Sequence, residues 1–328
     1  MSTAVLCTEQ LGKRYGQAWA LRDCTLDLPE GRVAALIGPN GAGKTTLLSL
    51  IMGLTGPTRG SAAIDGHPAG SPQALARVAF MGQEHPLYKR FTVADHLRLG
   101  QTLNAVFDAR WATQRLGDLG IPLGRPAGRL SGGQQAQVAL TLALAKRARV
   151  LLLDEPLASL DPVARREVMT TLMARVAETG CTVLFSSHVV AELERVCDHL
   201  IVISKSVLQL SSETDALLST HVRLIGPGGA DAPAGVDAVL ERADSRAQTI
   251  LLARLARPVA DPRWESRPVT VEDIALGYLT RPVPQALGQG TRTAPEPPGG
   301  AQAREEPPGQ PPAPAARLTA VPHEESHR

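Results

Sequence analysis

Long apolar runs are missing from this chain. A helix needs roughly 18 or more apolar residues to cross a bilayer, and the richest stretch, Val138 to Leu153, is broken by Lys146, Arg147 and Arg149. Any membrane role is therefore expected to be borrowed from a partner. The opening MSTAVLCTEQ lacks the basic start and long apolar middle of a signal peptide, so a cytosolic chain is expected. Charge of one sign is also missing: 34 Lys and Arg face 32 Asp and Glu. That balance gives no electrostatic case for nucleic acid, and none is expected as a partner. Four cysteines, Cys7, Cys24, Cys181 and Cys197, are scattered without metal-like spacing, as small core residues would be in a reducing compartment. Aromatics make up only 3%, and no internal repeat is visible.

What is present begins at Gly38. The run GPNGAGKTT places Gly38, Gly43, Lys44 and Thr45 on the fixed positions of the phosphate-loop pattern G-x-x-x-x-G-K-[ST]. Val33 to Ile37 reads as a buried strand before it, and Thr45 to Met52 as a helix after it, ending near Gly53. Without bulky side chains, the loop through Pro39, Asn40, Gly41 and Ala42 can wrap a polyphosphate with its backbone N–H groups, Pro39 having none to give. The positive end of the helix dipole lies beneath. Lys44 then reaches the terminal phosphates and the Thr45 hydroxyl a Mg²⁺ ion, with Thr46 in the first helical turn. On its own the loop fits kinases and GTPases equally well.

Before the loop, residues 1 to 32 read as two or three antiparallel strands. Tyr15 lies among them, either packed in a core or placed to stack on an adenine. After the loop helix, Gly60 to Gly66 suggests a short strand. Arg77 to Gly82 is another, delivering Gln83 to a strand end, where glutamines occur for many reasons. From Thr92 to about Arg129 the period becomes helical. Val93, His96, Leu97 and Leu99 lie on one face that Leu103, Val106 and Phe107 continue, and Trp111 is assigned to the same core. Leu130 to Gln134 follows, with Ser131 as a helix-cap candidate and Gly132-Gly133 permitting close approach. The helix after it is placed at Ala136 to Ala145.

Val150 to Leu153 is an uninterrupted apolar run, as expected of a parallel strand covered on both faces. It ends in Asp154-Glu155-Pro156, where open α/β sheets bind ligands. Because side chains alternate along a strand, the two carboxylates take different jobs: Asp154 reaches a metal's shell and Glu155 activates a water, unless either caps the next helix. Asp161 before Pro162 reads equally as a cap. Thr182 to Ser187 is a further strand that puts His188 at its end, and His199 to Ser204 is the next. The βαβ order implies parallel pairing with right-handed crossovers. Beyond Lys205, Val222–Ile225 and Thr249–Leu252 suggest two strands of a small appendage, closed by a helix over Val271 to Tyr278. From Pro282 onward 11 of the 26 prolines are concentrated, a composition expected to stay disordered.

Taken together and in this order, these motifs resemble the nucleotide-binding domain of ATP-binding cassette (ABC) proteins over roughly residues 1 to 220. The family signature LSGGQ, at Leu130 to Gln134, lies between a Walker A loop and the Walker B run LLLDEP. The resemblance implies a P-loop NTPase α/β fold: a mostly parallel central sheet, an N-terminal antiparallel β-subdomain and a helical subdomain over about 88–145. A small α+β accessory region at 221–281 and a disordered Pro-rich tail at 282–328 would follow. It also implies roles. Tyr15 would stack on adenine. Gln83 would touch Mg²⁺ and sense a transmembrane partner. Asp154 would hold the metal through water, Glu155 would be the general base, Asp161 the D-loop residue and His188 the switch on the γ-phosphate. One departure stands out: many members continue the signature with basic residues, where this chain has Gln135-Ala136-Gln137.

The family's mechanism is a head-to-tail dimer around two ATP molecules. Ser131, Gly132, Gly133 and Gln134 of one subunit would close on the γ-phosphate held by Lys44 of the other, in a homodimer or a heterodimer. The expected assembly includes a separate transmembrane permease, with this chain on the cytoplasmic face of the membrane. The appendage and the ending VTVEDIALGYL resemble ATP-binding subunits of bacterial ABC-2-type exporters, so export is the expected direction and import the alternative. A soluble ABC ATPase of translation or DNA repair is the reading from another class. Those proteins usually carry two cassettes or a long coiled-coil insert, and this sequence has neither.

Overall fold

A computed structural model describes residues 4–84, 87–158, 160–188 and 196–280. The expected disordered tail lies outside them. Two long strands, β1 (Ala4–Tyr15) and β2 (Ala18–Pro29), pair antiparallel. Next come β3 (Val33–Ile37), helix α1 (Lys44–Met52), β4 (Arg59–Ile64), the two-residue β5 (His67–Pro68), the short α2 (Pro72–Arg77) and β6 (Val78–Met81). Helices α3 (Val93–Leu103), α4 (Ala109–Asp118) and α5 (Gly132–Ala145) form a helical layer. The chain then returns to the sheet with β7 (Val150–Asp154), α6 (Pro162–Thr179), β8 (Thr182–Ser187), β9 (His199–Ser204) and β10 (Val207–Glu213).

These ten strands form one sheet in the order β5-β4-β1-β2-β10-β9-β3-β8-β7-β6. The stretch β9-β3-β8-β7-β6 is parallel throughout. Alternation explains why successive residues in the middle of its strands are apolar. Val33, Ala35, Ile37, Leu151 and Leu153 enter the core under α5 and α6, whereas Ala34, Leu36, Val150 and Leu152 enter the core under α1. A strand covered on both sides has no face to leave polar. Cys24 and Cys197 are buried here, and burial pushes their thiols up to about 11 and about 12, so they stay protonated packing groups.

The helical layer has its own core of Val93, Leu97, Ala112, Leu116, Ile121 and Val138. The face read as continuing through Leu103 and Val106 does not: α3 stops at Leu103, and these two side chains are 71% and 58% exposed. The start of α3 is fixed by a capping box in which the Thr92 hydroxyl accepts from Asp95 N–H and the Asp95 carboxylate accepts from Thr92 N–H. Those Thr92 bonds, with Arg98, hold the Asp95 carboxyl down to about 2. Its support is therefore complete above the usual carboxylate range and is lost as pH falls through about 2.

One buried cation fastens this layer to the sheet. Arg175 of α6 is 3% exposed and stacks over the Trp111 ring, 4.4 Å from its centroid. It donates to Asp108 at 3.0 Å and to Glu178 at 2.7 Å. Asp108 also caps α4 by accepting from Trp111 N–H. Trp111 thus belongs to a junction between layers as much as to the helical core.

Beyond β10, helix α7 (Thr214–Thr220) leads to a second sheet of β11 (His221–Pro227), β12 (Val236–Asp244), β13 (Gln248–Leu255) and β14 (Glu265–Arg267), in the order β12-β13-β11-β14. Two of these four strands escaped sequence reading, because register shifts interrupt the alternation of β12, which is half-exposed, and β14 is a three-residue exposed edge. One face packs on Trp264; the other packs on Ile274 and Tyr278 of the closing helix α8 (Val271–Thr280). Among the described residues no helix is long and apolar enough to cross a membrane.

Arg175→Ala should lower unfolding stability by about 3 kcal/mol, the scale of breaking a buried charge network. Urea titration checks this, and loss of Trp111 fluorescence shift in the same transition would report the junction itself.

Candidate functional site

The carboxyl ends of β3, β7 and β8 lie side by side, because Leu36 pairs with Ser186 and Ser186 with Asp154. The residues just past these three ends build the site. After β3 the chain turns through the glycine loop. Gly43 has φ 108°, and a Cβ there would sit 2.4 Å from the Ala20 carbonyl oxygen. A Cβ on Gly38 would sit 2.5 Å from the Ile203 carbonyl oxygen. Both positions therefore require glycine. Lys44, the first residue of α1, is 5% exposed. Its ammonium donates to Gly38 O at 2.7 Å and lies 3.4 Å from a Glu155 carboxylate oxygen.

Asp154 and Glu155 divide as alternation requires, with one addition. Asp154 has the parity of Val150 and Leu152 and so belongs to the α1 side of the sheet. Glu155 lies just past the strand with φ 48°, a left-handed conformation costing a non-glycine residue roughly 1–2 kcal/mol. That turn, beyond simple alternation, brings its carboxylate to Lys44 on one side and to His188 Nδ1, at 2.8 Å, on the other. An ionised carboxylate only accepts, so Nδ1–H donates and this fixes the His188 tautomer.

Ser186 holds both acids in place, and sequence reading passed over it. Its hydroxyl donates to Asp154 Oδ1 at 2.6 Å and accepts from Glu155 N–H at 2.9 Å, fully buried. The available signal was a polar residue ending an otherwise apolar strand. The second Asp154 oxygen, Oδ2, is buried without a hydrogen-bond partner. An orphaned carboxylate oxygen beside a phosphate loop fits a Mg²⁺ ion bound through its water shell. Among the described residues no cluster of three His, Cys, Asp or Glu forms a protein metal cage. That too suits Mg²⁺, which takes few protein ligands and completes its shell with water and phosphate.

The remaining candidates lie apart. Tyr15 ends β1 with its ring 56% exposed and Lys13 Nζ 5.2 Å from the centroid, so it is not a core residue. Gln83 comes after β6 and is exposed. Asp161 does cap α6, accepting from Val163 and Ala164 N–H groups. These bonds, that from Ala164 first, lower its carboxyl below the usual range.

The signature departs from its expected form. Helix α5 begins at Gly132, four residues before the predicted Ala136, so SGGQ is the helix's first turn and cap. A capping box is the reason: the Ser131 hydroxyl accepts from Gln134 N–H, and the Gln134 side chain accepts from Ser131 N–H. Gln137, where relatives are often basic, is buried and accepts from Arg115 of α4 at 2.8 Å. The same guanidinium reaches Thr141 and also Thr171 of α6. A basic side chain at 137 would oppose Arg115, so the departure is matched by its neighbour. Among the described residues no hydrogen bond or ion pair joins the signature to Lys44.

An open groove of about 380 Å³ lies between the helical layer and the sheet edge, lined by Phe80, Tyr88, Leu99, Leu103, Phe107 and Leu142 among others. Its lining includes Met81 of β6 and Leu87, on either side of Gln83 in the chain.

Comparison with known proteins gives the same direction. The family model described as "ABC transporter" matches residues 21–158. A thiamine import ATP-binding protein, ThiQ, of Shigella flexneri is 35% identical over 202 residues, 60% of this chain and 87% of that one. A sulfate/thiosulfate import ATP-binding protein, CysA 1, of Rhizobium meliloti is 36% identical over 220 residues. That match covers 64% of this chain and 63% of the relative, less than two thirds of its length. A solved structure described as an ATP binding subunit of an ABC transporter superposes with a TM-score of 0.60 at 26% identity, covering 66% of this chain and 92% of that one.

Ser186→Ala should cost about 1–3 kcal/mol, because it strands the buried Glu155 N–H and Asp154 Oδ1. Chemical unfolding measures the loss; an unchanged midpoint would show that the two acids do not depend on this hydroxyl.

Proposed function

The chain belongs to the ABC transporter family, and from that membership we propose that it is the ATP-hydrolysing subunit driving a separate membrane permease. The observation that carries the reading is the line of buried Lys44, buried Glu155 and exposed His188 at the strand ends, with both Glu155 oxygens engaged. Lys44 and the loop N–H groups of residues 38–46 hold the phosphates of ATP. Tyr15, exposed at the end of β1, offers its ring to the adenine. Thr45, Asp154 and Gln83 would hold a Mg²⁺ ion, which would supply charge neutralisation at the phosphate oxygens. Glu155 accepts a proton from the attacking water, and His188 orients that carboxylate and faces the γ-phosphate. Hydrolysis of this kind rests on positioning and charge stabilisation more than on covalent chemistry.

The signature in this reading belongs to a second cassette's site. Ser131, Gly133 and Asp161 sit at helix starts, where N–H groups and caps meet anions. Two cassettes, identical or different, would each complete the other's ATP site. The groove past Gln83 is the docking place for the permease, which keeps the chain peripheral on the cytoplasmic face of the membrane.

For direction, the import alternative has the better support. The two relatives named above are import proteins, and the expected resemblance to ABC-2-type exporters finds no support among them. The physical reason is that direction and cargo are set by the permease, while the cassette motifs serve either.

Glu155→Gln should lower ATP turnover by about 10²–10⁴-fold while nucleotide still binds. A phosphate-release assay beside a fluorescent-nucleotide titration separates the two effects, and near-normal turnover would remove Glu155 as the base.

A further inference from the structure

The signature turn and the turn capped by Asp161 are neighbours. A Cβ on Gly133 would stand 3.5 Å from Leu160 Cδ2, at ordinary contact distance, and Leu160 is itself buried. Arg165 of α6 donates from Nε to Leu160 O at 2.9 Å, which holds that turn against the start of its helix. Two segments that the shared-site reading gives to a second cassette therefore touch within one chain. Their register depends on how α5 and α6 are fastened further along.

A polar fastener between these helices comes from a third. Arg115, in the last turn of α4, is half-buried and donates to three side chains. Nη2 donates to Gln137 Oε1 at 2.8 Å, Nε to Thr141 Oγ1 at 3.2 Å and Nη1 to Thr171 Oγ1 at 2.7 Å. Gln137 and Thr141 are buried one turn apart on α5, whereas Thr171 belongs to α6. The Thr141 hydroxyl gives its proton to Gln137 O at 2.7 Å, so its lone pairs are left to accept from Arg115. Among the described residues no carboxylate lies within ion-pair distance of this guanidinium; Glu167 and Asp118 act on it only from farther off. Three neutral acceptors offset the burial of a charge less well than a carboxylate would, but they fix geometry, because a rigid planar fork meets all three in one orientation. Arg175 grips the other end of α4 through Asp108. Among the described residues, only Arg115 of these two arginines bonds to α5.

We propose that Arg115 is a positioning residue for the shared ATP site: it sets the register of α5 against α6, so that the signature turn and the Asp161 turn meet a second copy of this chain as one preformed surface. The proposal rests on the reading that two cassettes complete each other's sites, and takes the second cassette to be identical. At about 1.5 Å per residue, Gln137 lies roughly 9 Å along α5 from Ser131, and Thr171 roughly 15 Å along α6 from Asp161. A slip of one helix against the other at Arg115 is therefore carried to both turns. The side chains that Arg115 bonds all belong to α5 and α6, and none is part of the phosphate loop or the acid pair. Loss of the fork acts on the association of two chains and not on nucleotide binding by one.

The test uses the full chain carrying Glu155→Gln, which should hold ATP without turning it over. Two constants are read: affinity for a fluorescent ATP analogue with Mg²⁺ at a protein concentration where the chain is monomeric, and ATP-dependent self-association by sedimentation. Adding Arg115→Gln should weaken self-association about tenfold, the scale of coupled hydrogen bonds from a charged donor, with nucleotide affinity kept within about twofold. Gln137→Arg, which sets two cations face to face, should weaken association as well. Combining Arg115→Gln with Gln137→Arg should recover most of the loss, because the fork then reaches back across the same gap. Thr171→Val removes the acceptor on α6 alone and should weaken association about threefold, which keeps the test open should Arg115→Gln not fold. With Glu155 intact, turnover of Arg115→Gln should fall at low protein concentration and return towards the wild-type value as the concentration rises. Variants that self-associate like the Glu155→Gln parent would overturn Arg115 as a positioning residue while leaving the shared site intact. Nucleotide affinity lost to the same degree as association would overturn it in favour of a general structural role. A parent that stays monomeric with ATP would overturn the shared site between identical chains, and this proposal with it.

Discussion

Burying an ammonium is the constraint on which the rest of this structure depends. Lys44 is nearly inaccessible at the head of α1, and a cation taken out of water costs several kcal/mol unless its surroundings answer it. The answer comes from three directions. Carbonyls of a loop that only glycine can trace approach it from β3. The Glu155 carboxylate approaches from the end of β7 in a strained conformation. The His188 ring, just past β8, holds that carboxylate, and the Ser186 hydroxyl of β8 accepts from the Glu155 N–H. A phosphate chain entering the loop meets donors already aimed and already desolvated, which is where electrostatic preorganisation gains its strength.

The same three strands must be adjacent and parallel for this to work, and that requirement explains the burial pattern. A parallel strand between two helical layers gives up any polar face, so the chemistry can only sit where the strands end. The helices that cover the sheet also carry function. Helix α5 is a core element through Leu140 and Leu144, and in the proposed reading a recognition element through its first turn. Arg115 and Arg175 tie the helical layer to α6 with hydrogen bonds and aromatic contact. Motion of that layer is therefore expected to reach the turn capped by Asp161.

The proposed division of the site between two chains rests on the same geometry. Each chain assembles a loop, two acids and a histidine around one point, and holds the signature turn elsewhere with its own cap satisfied. In that reading the groove between the helical layer and the sheet edge takes the permease, so nucleotide, second cassette and permease would meet separate parts of one cassette. The import relatives bear on the last of these surfaces only through the permease it would meet.

The sequence by itself determined the strands that are apolar at every position, the loop, the carboxylates at the end of β7 and the histidine at the end of β8. Each is a local pattern: a run with no polar face, a glycine spacing, a polar residue at a strand end. Tertiary structure decided the rest. Ser186 became a bridge only because β8 pairs in register with β7, and Glu155 reached Lys44 only through a left-handed turn that no residue type announces. The start of α5 moved to Gly132 because a capping box competed with the helix-breaking tendency of two glycines. Strand β12 was illegible because register shifts break its alternation, and β14 because three exposed residues are too few to show a pattern. Leu103 and Val106 continued a helical period on paper but were left exposed where the helix ended, since periodicity records which residues share a face and not whether anything covers it.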